Sequence, residues 1–401
     1  MPSNKSISLK ALLLVFLSAL LLLSAPSSPA LAASSSTPEG AKAVPGDDFV
    51  QAKAAVLMDP ADGRIIYSKN ADERRPMAST TKIMTGVVAL EKLPLDQVVT
   101  ASKRADAAGE SEIWLVPGEK LTVEELLNAL LVKSANDAAV ALAEAASGSL
   151  EAFIDDMNAK ARELGLNDSH FMNPHGLDVE GHYTTARDLA ELGRYAMKNE
   201  TFRKLVGTQR TTISWPGRDY DRVLENHNHL LEEVSWVDGI KTGYTSDAGY
   251  CLVGSGTKGD LGLIAVTLGE QTAAQRNADT VKLLEYGFSK YKETVFVEER
   301  EQITALPIPY TIEEELPLVT AGRLEASIFE DDAVEKVVSV PEELELPVEK
   351  GATVGKVQIQ VGGELHCEVE LLAAEAVGPP TLGVKARYFW DRFMLWLGSS
   401  V

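Results

Sequence analysis

Two β-rich segments far apart in the chain constrain the fold more than any other feature. The first, AKAAVLMDPADGRIIYSKNAD, has two β-rich runs around the turn sequence DPADG and predicts a hairpin. The second, VDGIKTGYTSDAGYCLVGSGTKGDLGLIAVTLG, predicts successive strands with glycine-rich turns. The segments between them have apolar residues three and four apart, which is the helical period. Strands at both ends of a helical middle predict an α+β unit in which the first and last strands share a sheet.

The composition is that of a globular protein with more than one domain. The 401 residues are 45% apolar and 24% charged, which is ordinary for folded chains. Acidic residues outnumber basic ones by 59 to 38, so nucleic acid is a poor partner. Residues 291 to 350 contain 16 acidic and 5 basic residues, and this change in composition suggests a domain boundary.

The N-terminus has the pattern of a secretory signal peptide. Lys5 and Lys10 precede the apolar block ALLLVFLSALLLL, and SPALA then supplies small residues up to Ala32. A retained membrane span is the alternative, but thirteen apolar residues are short of the roughly 20 needed to cross a bilayer. We therefore expect residues 1–32 to be removed, 33–48 to form a flexible linker, and the mature protein to lie at the outer face of the cytoplasmic membrane.

The C-terminal third predicts two further units. Short alternating runs with Pro and Gly between them predict a small, acidic all-β domain at residues 292–375, after a larger domain at 49–291. Residues 380–398 predict an amphipathic helix with Phe389, Trp390, Phe393 and Trp396 on one side. We expect this helix to bind a membrane surface peripherally, although docking on its own protein is an alternative.

The cysteines and histidines predict neither a disulfide nor a metal centre. Cys251 and Cys367 fall in different predicted domains, and each is expected to be a buried small hydrophobic residue rather than a reactive thiol. His227 and His229 of ENHNHLL share a face of an extended segment, which is the basis of an alternative in which the chain is a metal-dependent binding protein. No third ligand stands out, so no metal or other cofactor is predicted.

Ser79 and Lys82 in PMASTTKIMT are a candidate reactive pair. A serine needs a neighbouring base to become a nucleophile, and helical positions three apart share a face. Pro76 and the residues after it are suited to a helix start, which favours developing negative charge at Ser79. The spacing alone proves nothing, because Ser255 with Lys258 and Ser289 with Lys292 repeat it.

Two other motifs complete the candidate site. A lysine base must be neutral, and a second lysine close by lowers its pKa; Lys241 in the strand VDGIKTGYT is the candidate, followed by Thr242 and Gly243. Ser134 and Asn136 are polar residues between two long apolar helical stretches. Each motif also has a structural explanation, with Ser79 and Ser134 as helix caps and Lys241 as a surface residue.

The three motifs in this order match those of the penicillin-recognising serine enzymes. Their surroundings, PMASTTKIMT, LLVKSANDAA, NPHGLDVEGHYTTARDLA and VDGIKTGYTSDAGYCLV, resemble the D-alanyl-D-alanine carboxypeptidases, the low-molecular-weight penicillin-binding proteins. The resemblance covers about residues 48 to 290. It implies a serine β-lactamase/DD-peptidase-like domain, an antiparallel sheet flanked by a mainly helical region, and it fits a following small all-β domain and C-terminal amphipathic helix.

The resemblance also implies the role of each residue. Ser79 would attack the penultimate D-alanine carbonyl of a peptidoglycan stem peptide with Lys82 as general base, and water would hydrolyse the acyl-enzyme. Ser134 would relay a proton to the leaving nitrogen, and Asn136 would hold the substrate amide. The terminal carboxylate would bind Lys241 and Thr242. Arg276 would also face that carboxylate, and the alternative is that it is an ordinary charge on a helix surface. The backbone N–H groups of Ser79 and Tyr244 would form the oxyanion hole, and Gly243 would let a substrate backbone come close.

β-Lactams resemble this substrate and are expected to acylate Ser79 and remain bound. The alternative from the same superfamily is a serine β-lactamase, for which Glu163 of ELGLN has a faint likeness to a water-activating glutamate. Glu163 continues a helical period, which favours a solvated helix face. The chain has Thr184 where the family often has serine, and His182 and Arg187 are interpreted as structural.

Overall fold

The computed structural model describes residues 45–398. The predicted signal peptide at 1–32 and most of the predicted linker at 33–48 lie outside these residues. Within them the chain forms one α+β unit with a five-stranded sheet, followed by a smaller β structure and a terminal helix. The predicted fold class is therefore confirmed.

The five-stranded sheet joins the two β-rich segments of the sequence. Its order is β2-β1-β9-β8-β7 and its strands are antiparallel, with Val56 of β1 opposite Val266 of β9. β7 therefore forms one edge of the sheet. The strands are β1 (Ala54–Met58), β2 (Ile65–Lys69), β7 (Val237–Thr245), β8 (Gly249–Lys258) and β9 (Leu261–Glu270).

Helices pack on the sheet and on one another to form the main core. Several begin at a side-chain cap: Thr122 and Glu125 form a capping box at α3, and Ser149 and Thr272 cap α5 and α9. The helices up to residue 288 are α1 (Lys82–Lys92), α2 (Lys103–Asp106), α3 (Val123–Leu131), α4 (Asn136–Ser147), α5 (Leu150–Glu163), α6 (Ala186–Ala196), α7 (Glu200–Val206), α8 (Leu230–Glu233) and α9 (Ala273–Phe288).

Two small antiparallel pairs, which the sequence did not predict, lie among these helices. They are formed by β3 (Val98–Thr100) with β4 (Lys120–Thr122), and by β5 (Arg210–Ile213) with β6 (Arg222–Glu225). Both are short and mostly exposed on alternate residues, so they contribute little to the apolar periodicity from which strands are predicted.

The chain after residue 290 is all β until its last helix. A five-stranded sheet has the order β11-β12-β16-β15-β14, and β10 pairs with β13. A separate apolar core that includes Leu316, Val357 and Leu371 lies between these elements. The strands are β10 (Tyr291–Val297), β11 (Gln302–Pro307), β12 (Glu315–Thr320), β13 (Leu324–Phe329), β14 (Val334–Ser339), β15 (Thr353–Val361) and β16 (Glu364–Ala373).

Polar and aromatic contacts join the β structure to the first part of the chain. Arg64 forms an ion pair with Asp332 at 2.7 Å, and its guanidinium carbon lies 4.7 Å from the centre of the Phe329 ring. The Tyr291 hydroxyl donates to Asp59. Asp59 and Arg64 lie in the turn between β1 and β2, so the β structure contacts the first hairpin at this turn.

The terminal helix α10 (Leu382–Gly398) presents large apolar side chains to solvent. Phe389, Trp390 and Trp396 are each more than 60% exposed. Its first turns contact the β structure, through Lys385 and Tyr388 on the ring of Tyr310. No helix among residues 45–398 is long and apolar enough to cross a membrane.

Candidate active site

Ser79 lies in a short 3-10 turn that leads into helix α1. The turn spans Ala78–Thr81, and α1 begins at Lys82, so the α-helix starts one turn later than Pro76 suggests. Ala78 has a φ of +48°, an uncommon conformation for a residue with a side chain. The residue before the turn is Met77, and Thr81 precedes α1, so Ser79 is not an N-cap. Its half-buried hydroxyl is therefore available for chemistry.

The amine of Lys82 contacts Ser79 and two other groups. Lys82 Nζ lies 2.9 Å from Ser79 Oγ, 2.7 Å from Asn136 Oδ1 and 2.7 Å from the carbonyl oxygen of His175. The side chain is fully buried. Burial, followed by the positive charge of Lys241, lowers the pKa of Lys82 well below its ordinary value of 10.5, although Asp137 acts in the opposite direction.

These three contacts orient the lone pair of a neutral amine. The carbonyl of His175 can only accept, and Asn136 presents its oxygen to Lys82 because its amide nitrogen donates to the Gly109 carbonyl at 2.8 Å. A neutral amine has two hydrogens, and these two acceptors use both. The remaining lone pair faces Ser79 Oγ, so the geometry is that of a base taking the serine proton.

Ser134 and Asn136 lie where helix α3 gives way to helix α4. Ser134 is 4% exposed and has a φ of +65°, while Asn136 is the first residue of α4. The N-cap of α4 is Ala135, without a side-chain hydrogen bond, so Ser134 is not the cap that the simpler interpretation required. The strained turn instead brings Asn136 onto the Lys82 amine.

Lys241 is a buried cation on the edge strand β7. It is 1% exposed, which excludes the surface interpretation, and its Nζ donates to the Thr242 carbonyl at 3.2 Å. Burial and then the positive charge of Arg276 lower the pKa of Lys241 from 10.5 to about 7. Arg276 is only 6% exposed on α9, so it too is no surface charge. Lys241 and Arg276 are thus two buried basic side chains, and the charge of one affects the other.

Gly243 permits strand β7 to approach the 3-10 turn Ala78–Thr81, which we call the serine turn. A Cβ at Gly243 would lie 3.0 Å from Ser79 N and 3.1 Å from the Met77 carbonyl oxygen. Thr242 is buried beside it, and Tyr244 is 56% exposed with its ring centre 4.4 Å from that of Tyr250. The backbone next to Gly243 therefore lies against the Ser79 amide.

The sequence did not indicate that His175 and Gly176 pack against the serine turn. His175 contributes a backbone carbonyl, and Gly176, with a φ of +93°, packs so tightly that a Cβ would lie 1.9 Å from the Ala78 oxygen. A backbone acceptor has no side-chain signature. The glycine in NPHG is the one signal from which the close approach could have been inferred.

His182 stabilises the serine turn through a network of hydrogen bonds. Its Nδ1 accepts from the Met172 amide at 3.0 Å, so its Nε2 carries the hydrogen and donates to Thr81 Oγ1 at 2.8 Å. Thr81 Oγ1 in turn donates to the Ala78 carbonyl at 2.8 Å. Burial lowers the pKa of His182 from 6.5 to about 4, so this network holds a neutral imidazole. His182 positions the turn without contacting Ser79.

The other residues considered from the sequence are not among the contacts of Ser79 and Lys82 described above. Glu163 is exposed at the end of α5 and pairs with Lys160 at 2.9 Å. Arg187 pairs with Asp72 near the surface, and Thr184 contacts Ser169 at 2.7 Å. In the described part of the chain, no group of three or more metal-binding side chains accompanies His227 and His229. Cys251 and Cys367 are both free, and only Cys251 is fully buried.

Comparison with known proteins decides the family. A family model described as D-alanyl-D-alanine carboxypeptidase matches residues 41–272, which is more than half of the chain. The chain belongs to the D-alanyl-D-alanine carboxypeptidase family. A second model, described as the penicillin-binding protein 5 C-terminal domain, matches residues 279–379.

Members of the carboxypeptidase family resemble this chain over most of its length. D-alanyl-D-alanine carboxypeptidase DacF of Bacillus subtilis is 35% identical over 333 residues, covering 81% of this chain and 85% of the relative. DacC of Escherichia coli is 33% identical over 380 residues, covering 87% and 90%.

Solved structures of the carboxypeptidase family have the same fold. The carboxypeptidase DacD from Francisella tularensis has a TM-score of 0.60 and 28% identity, and the match covers 84% of this chain and 95% of that one. Penicillin binding protein 5 from Haemophilus influenzae has a TM-score of 0.59 and 30% identity, covering 82% and 98%. The family recognised from the sequence motifs is confirmed.

Proposed function

We propose that the chain is a serine-type D-Ala-D-Ala carboxypeptidase that removes the terminal D-alanine from peptidoglycan stem peptides. One observation carries the mechanism: Lys82 Nζ lies 2.9 Å from Ser79 Oγ while two other acceptors use the hydrogens of the amine. The family membership supports the substrate class.

In the acylation step, Lys82 takes the proton of Ser79 while Oγ attacks the carbonyl of the penultimate D-alanine. The backbone N–H groups of Ser79 and Tyr244 stabilise the oxyanion, a contribution of about 3 to 4 kcal/mol per donor in comparable sites. A Cβ added at Gly243 would lie 3.0 Å from Ser79 N, and this closeness of the two backbones supports the pairing of donors. Collapse of the intermediate breaks the peptide bond, and a proton relayed through Ser134 leaves with D-alanine.

The terminal carboxylate binds at Lys241, Thr242 and Arg276. Lys241 has a pKa of about 7 in the substrate-free site because it is buried beside Arg276. An anion between the two cations favours the charged form and raises that pKa, so the bound complex holds an ammonium at Lys241 and a neutral amine at Lys82. Asn136 holds the substrate amide, and water then hydrolyses the acyl-enzyme.

β-Lactams enter the same site and acylate Ser79. The alternative function of a serine β-lactamase requires rapid discharge of that adduct. The three partners of the Lys82 amine are a hydroxyl, an amide and a backbone carbonyl, and Glu163, the residue considered for water activation, pairs with Lys160 in solvent. Carboxypeptidase activity is therefore favoured.

Intact-protein mass spectrometry tests the assignment. Wild type incubated with penicillin should gain one covalent adduct, and it should release D-alanine from a peptide ending in D-Ala-D-Ala; Ser79→Ala should do neither. Ser289→Ala is the matched control, because Ser289 has the same spacing to Lys292 but is exposed and donates to the Tyr286 carbonyl. An adduct that survives in Ser79→Ala would refute the assignment of the nucleophile.

We also propose that the enzyme works at the outer face of the cytoplasmic membrane. The proposed organisation is a signal peptide at 1–32, a linker at 33–48, the catalytic domain at 49–291, a small acidic β domain at 292–375 and a peripheral membrane helix at 380–398. The exposed aromatic side chains of α10 support membrane binding, and the N-terminal sequence pattern supports export.

A further inference from the structure

Trp114 is a large apolar side chain held in solvent by a strained backbone. It is 64% exposed, although its neighbours Ile113 and Leu115 are each 2% exposed. Its φ is +58°, a conformation that is unfavourable for a bulky residue. Such strain persists only where the surrounding structure enforces it, and it concentrates at functional sites.

Two buried charged side chains enforce the conformation of Trp114. The Asp137 carboxylate accepts from the backbone N–H groups of Ile113 at 3.1 Å and Leu115 at 3.0 Å. From the opposite side, Arg222 donates to the Ile113 carbonyl at 2.8 Å and to the Trp114 carbonyl at 3.4 Å. The loop is therefore rigid, and the Trp114 ring is presented without a large entropic cost on binding.

Arg222 also connects Trp114 to two further aromatic residues on the β5–β6 hairpin. The guanidinium carbon of Arg222 lies 4.6 Å from the centre of the Trp215 ring. The Trp215 and Tyr220 ring centres are 5.5 Å apart in an edge-on arrangement, and Tyr220 is 56% exposed. We call Trp114, Trp215 and Tyr220 the aromatic surface.

Hydrogen bonds through the start of helix α4 link the loop that carries Trp114 to the candidate active site. Asp137, which holds the Trp114 loop, follows Asn136 in α4. The Asn136 amide donates to the Ser111 carbonyl at 2.6 Å, and its side chain spans from Gly109 to the amine of Lys82. The loop that carries Trp114 is thus attached to the residue that contacts the catalytic base.

We propose that the aromatic surface binds the glycan chain to which the stem peptide is attached. This inference rests on the proposed function. A five-residue stem spans at most about 18 Å when fully extended, so the sugar end of a bound substrate stays close to the cleft walls. Pyranose rings have apolar faces that pack on aromatic rings, and the chain's charge of −21 favours an uncharged polymer over an anionic one.

Binding of an uncharged oligomer of N-acetylglucosamine, which presents the same kind of pyranose face without a carboxylate, tests the proposal without any catalysis. Trp114→Ala and Tyr220→Ala should each weaken binding about five- to tenfold, the loss expected for one aromatic contact. Trp114→Phe should retain most of the affinity. Leu365→Ala is the control, because Leu365 is a similarly exposed apolar residue, 54% exposed, on β16 in the other domain.

Kinetics on two substrates separate this proposal from the proposed function. The ratio of kcat/KM for a glycan-linked stem peptide to that for a sugar-free peptide should fall about five- to tenfold in Trp114→Ala, through KM. An equal fall on both substrates, or wild-type glycan binding by both alanine variants, would overturn the glycan site. If the wild type releases no D-alanine but its glycan binding still depends on Trp114 and Tyr220, the proposed function alone would be refuted.

Discussion

At the scale of single residues, the chemistry depends on which groups surround the Lys82 amine. A hydroxyl, an amide oxygen and a backbone carbonyl lie within 2.9 Å of it, and none of them carries a negative charge. Two charged side chains also affect the pKa of Lys82: the positive Lys241 favours the neutral amine, and Asp137 opposes it. A negative charge introduced among these contacts of Lys82 should therefore change the rate of acylation.

Asn136→Asp should place a carboxylate against the Lys82 amine. The negative charge raises the pKa of Lys82 and favours the ammonium, which cannot take the Ser79 proton. Acylation by penicillin at pH 7 should fall about 10²- to 10³-fold, as expected for loss of a general base, and its pH midpoint should move upward. Asn136→Leu is the control, because it loses the same hydrogen bonds without adding charge. An unshifted midpoint in Asn136→Asp would count against the base.

The pKa of Lys241 predicts how substrate binding depends on pH. Since this pKa is about 7 in the free site, Lys241 is protonated below pH 7, and above it substrate binding must take up a proton. KM for a peptide ending in a carboxylate should therefore rise between pH 7 and 9, by up to about tenfold per pH unit, while kcat changes little.

Arg276→Gln provides the control for this pH dependence. Removing the neighbouring cation raises the pKa of Lys241, so the rise in KM should begin at higher pH even though KM at pH 6 increases. A KM in the wild type that stays constant from pH 6 to 9 would contradict the assignment of Lys241 as the carboxylate ligand.

The side chains of this site could be predicted from the sequence because each belongs to a motif. Ser79, Lys82 and Asn136 were identified in this way, and the structure places them in contact. The His175 carbonyl and the Asp137 carboxylate could not, since a backbone acceptor has no sequence pattern and an aspartate at a helix start resembles ordinary capping.

At the scale of secondary-structure elements, the site is the junction of the serine turn with strand β7. The sequence predicted strand β7 and a helix from Pro76, but the helix begins at Lys82 after a 3-10 turn. Apolar periodicity cannot distinguish a 3-10 turn from the first turn of an α-helix. The positive φ at Ala78, imposed by tight packing against Gly176, has no periodic signal either.

Gly243→Ala should move strand β7 away from the serine turn. The new Cβ would meet Ser79 N at 3.0 Å, so strand β7 must move away from the turn and the oxyanion donors lose their alignment. Acylation by penicillin should slow about tenfold to a hundredfold, because misplacement by a fraction of an ångström is costly at such a site. Gly262→Ala on β9, where the nearest atom is 3.7 Å away, should acylate normally. Equal rates in the two variants would contradict the proposed junction.

At the scale of the whole molecule, one end of the chain is predicted to bind a membrane, and a β structure lies between that end and the part of the chain that carries the candidate site. Contacts through Arg64 and Tyr291 join the β structure to the β1–β2 hairpin, and β7 is the edge strand at the other end of the sheet order from β2. The composition change near residue 291 anticipated this second unit. The contacts that join it to the first could not be read from the sequence, because they link residues more than 200 positions apart.

Deleting α10 after Thr381 should release the protein from membranes without affecting catalysis. The helix exposes Phe389, Trp390 and Trp396 and carries three basic residues against one acidic residue, so it should favour anionic lipid vesicles. Co-sedimentation with such vesicles should be lost on deletion, with kcat/KM on a soluble peptide within about twofold of wild type. Full-length Phe389→Glu/Trp390→Glu should behave likewise. Vesicle binding that persists in the deletion variant would contradict the role of the helix.

The protonation state of Lys82 is the most direct test of the proposed mechanism. NMR of the protein labelled with ¹³C at the lysine Cε carbons, with the Lys82 signal assigned by its absence in Lys82→Gln, reports the charge of each amine across pH. We expect Lys82 to be neutral at pH 7 in the substrate-free protein, with a pKa well below 10.5. A Lys82 signal that titrates near 10.5 would contradict the account.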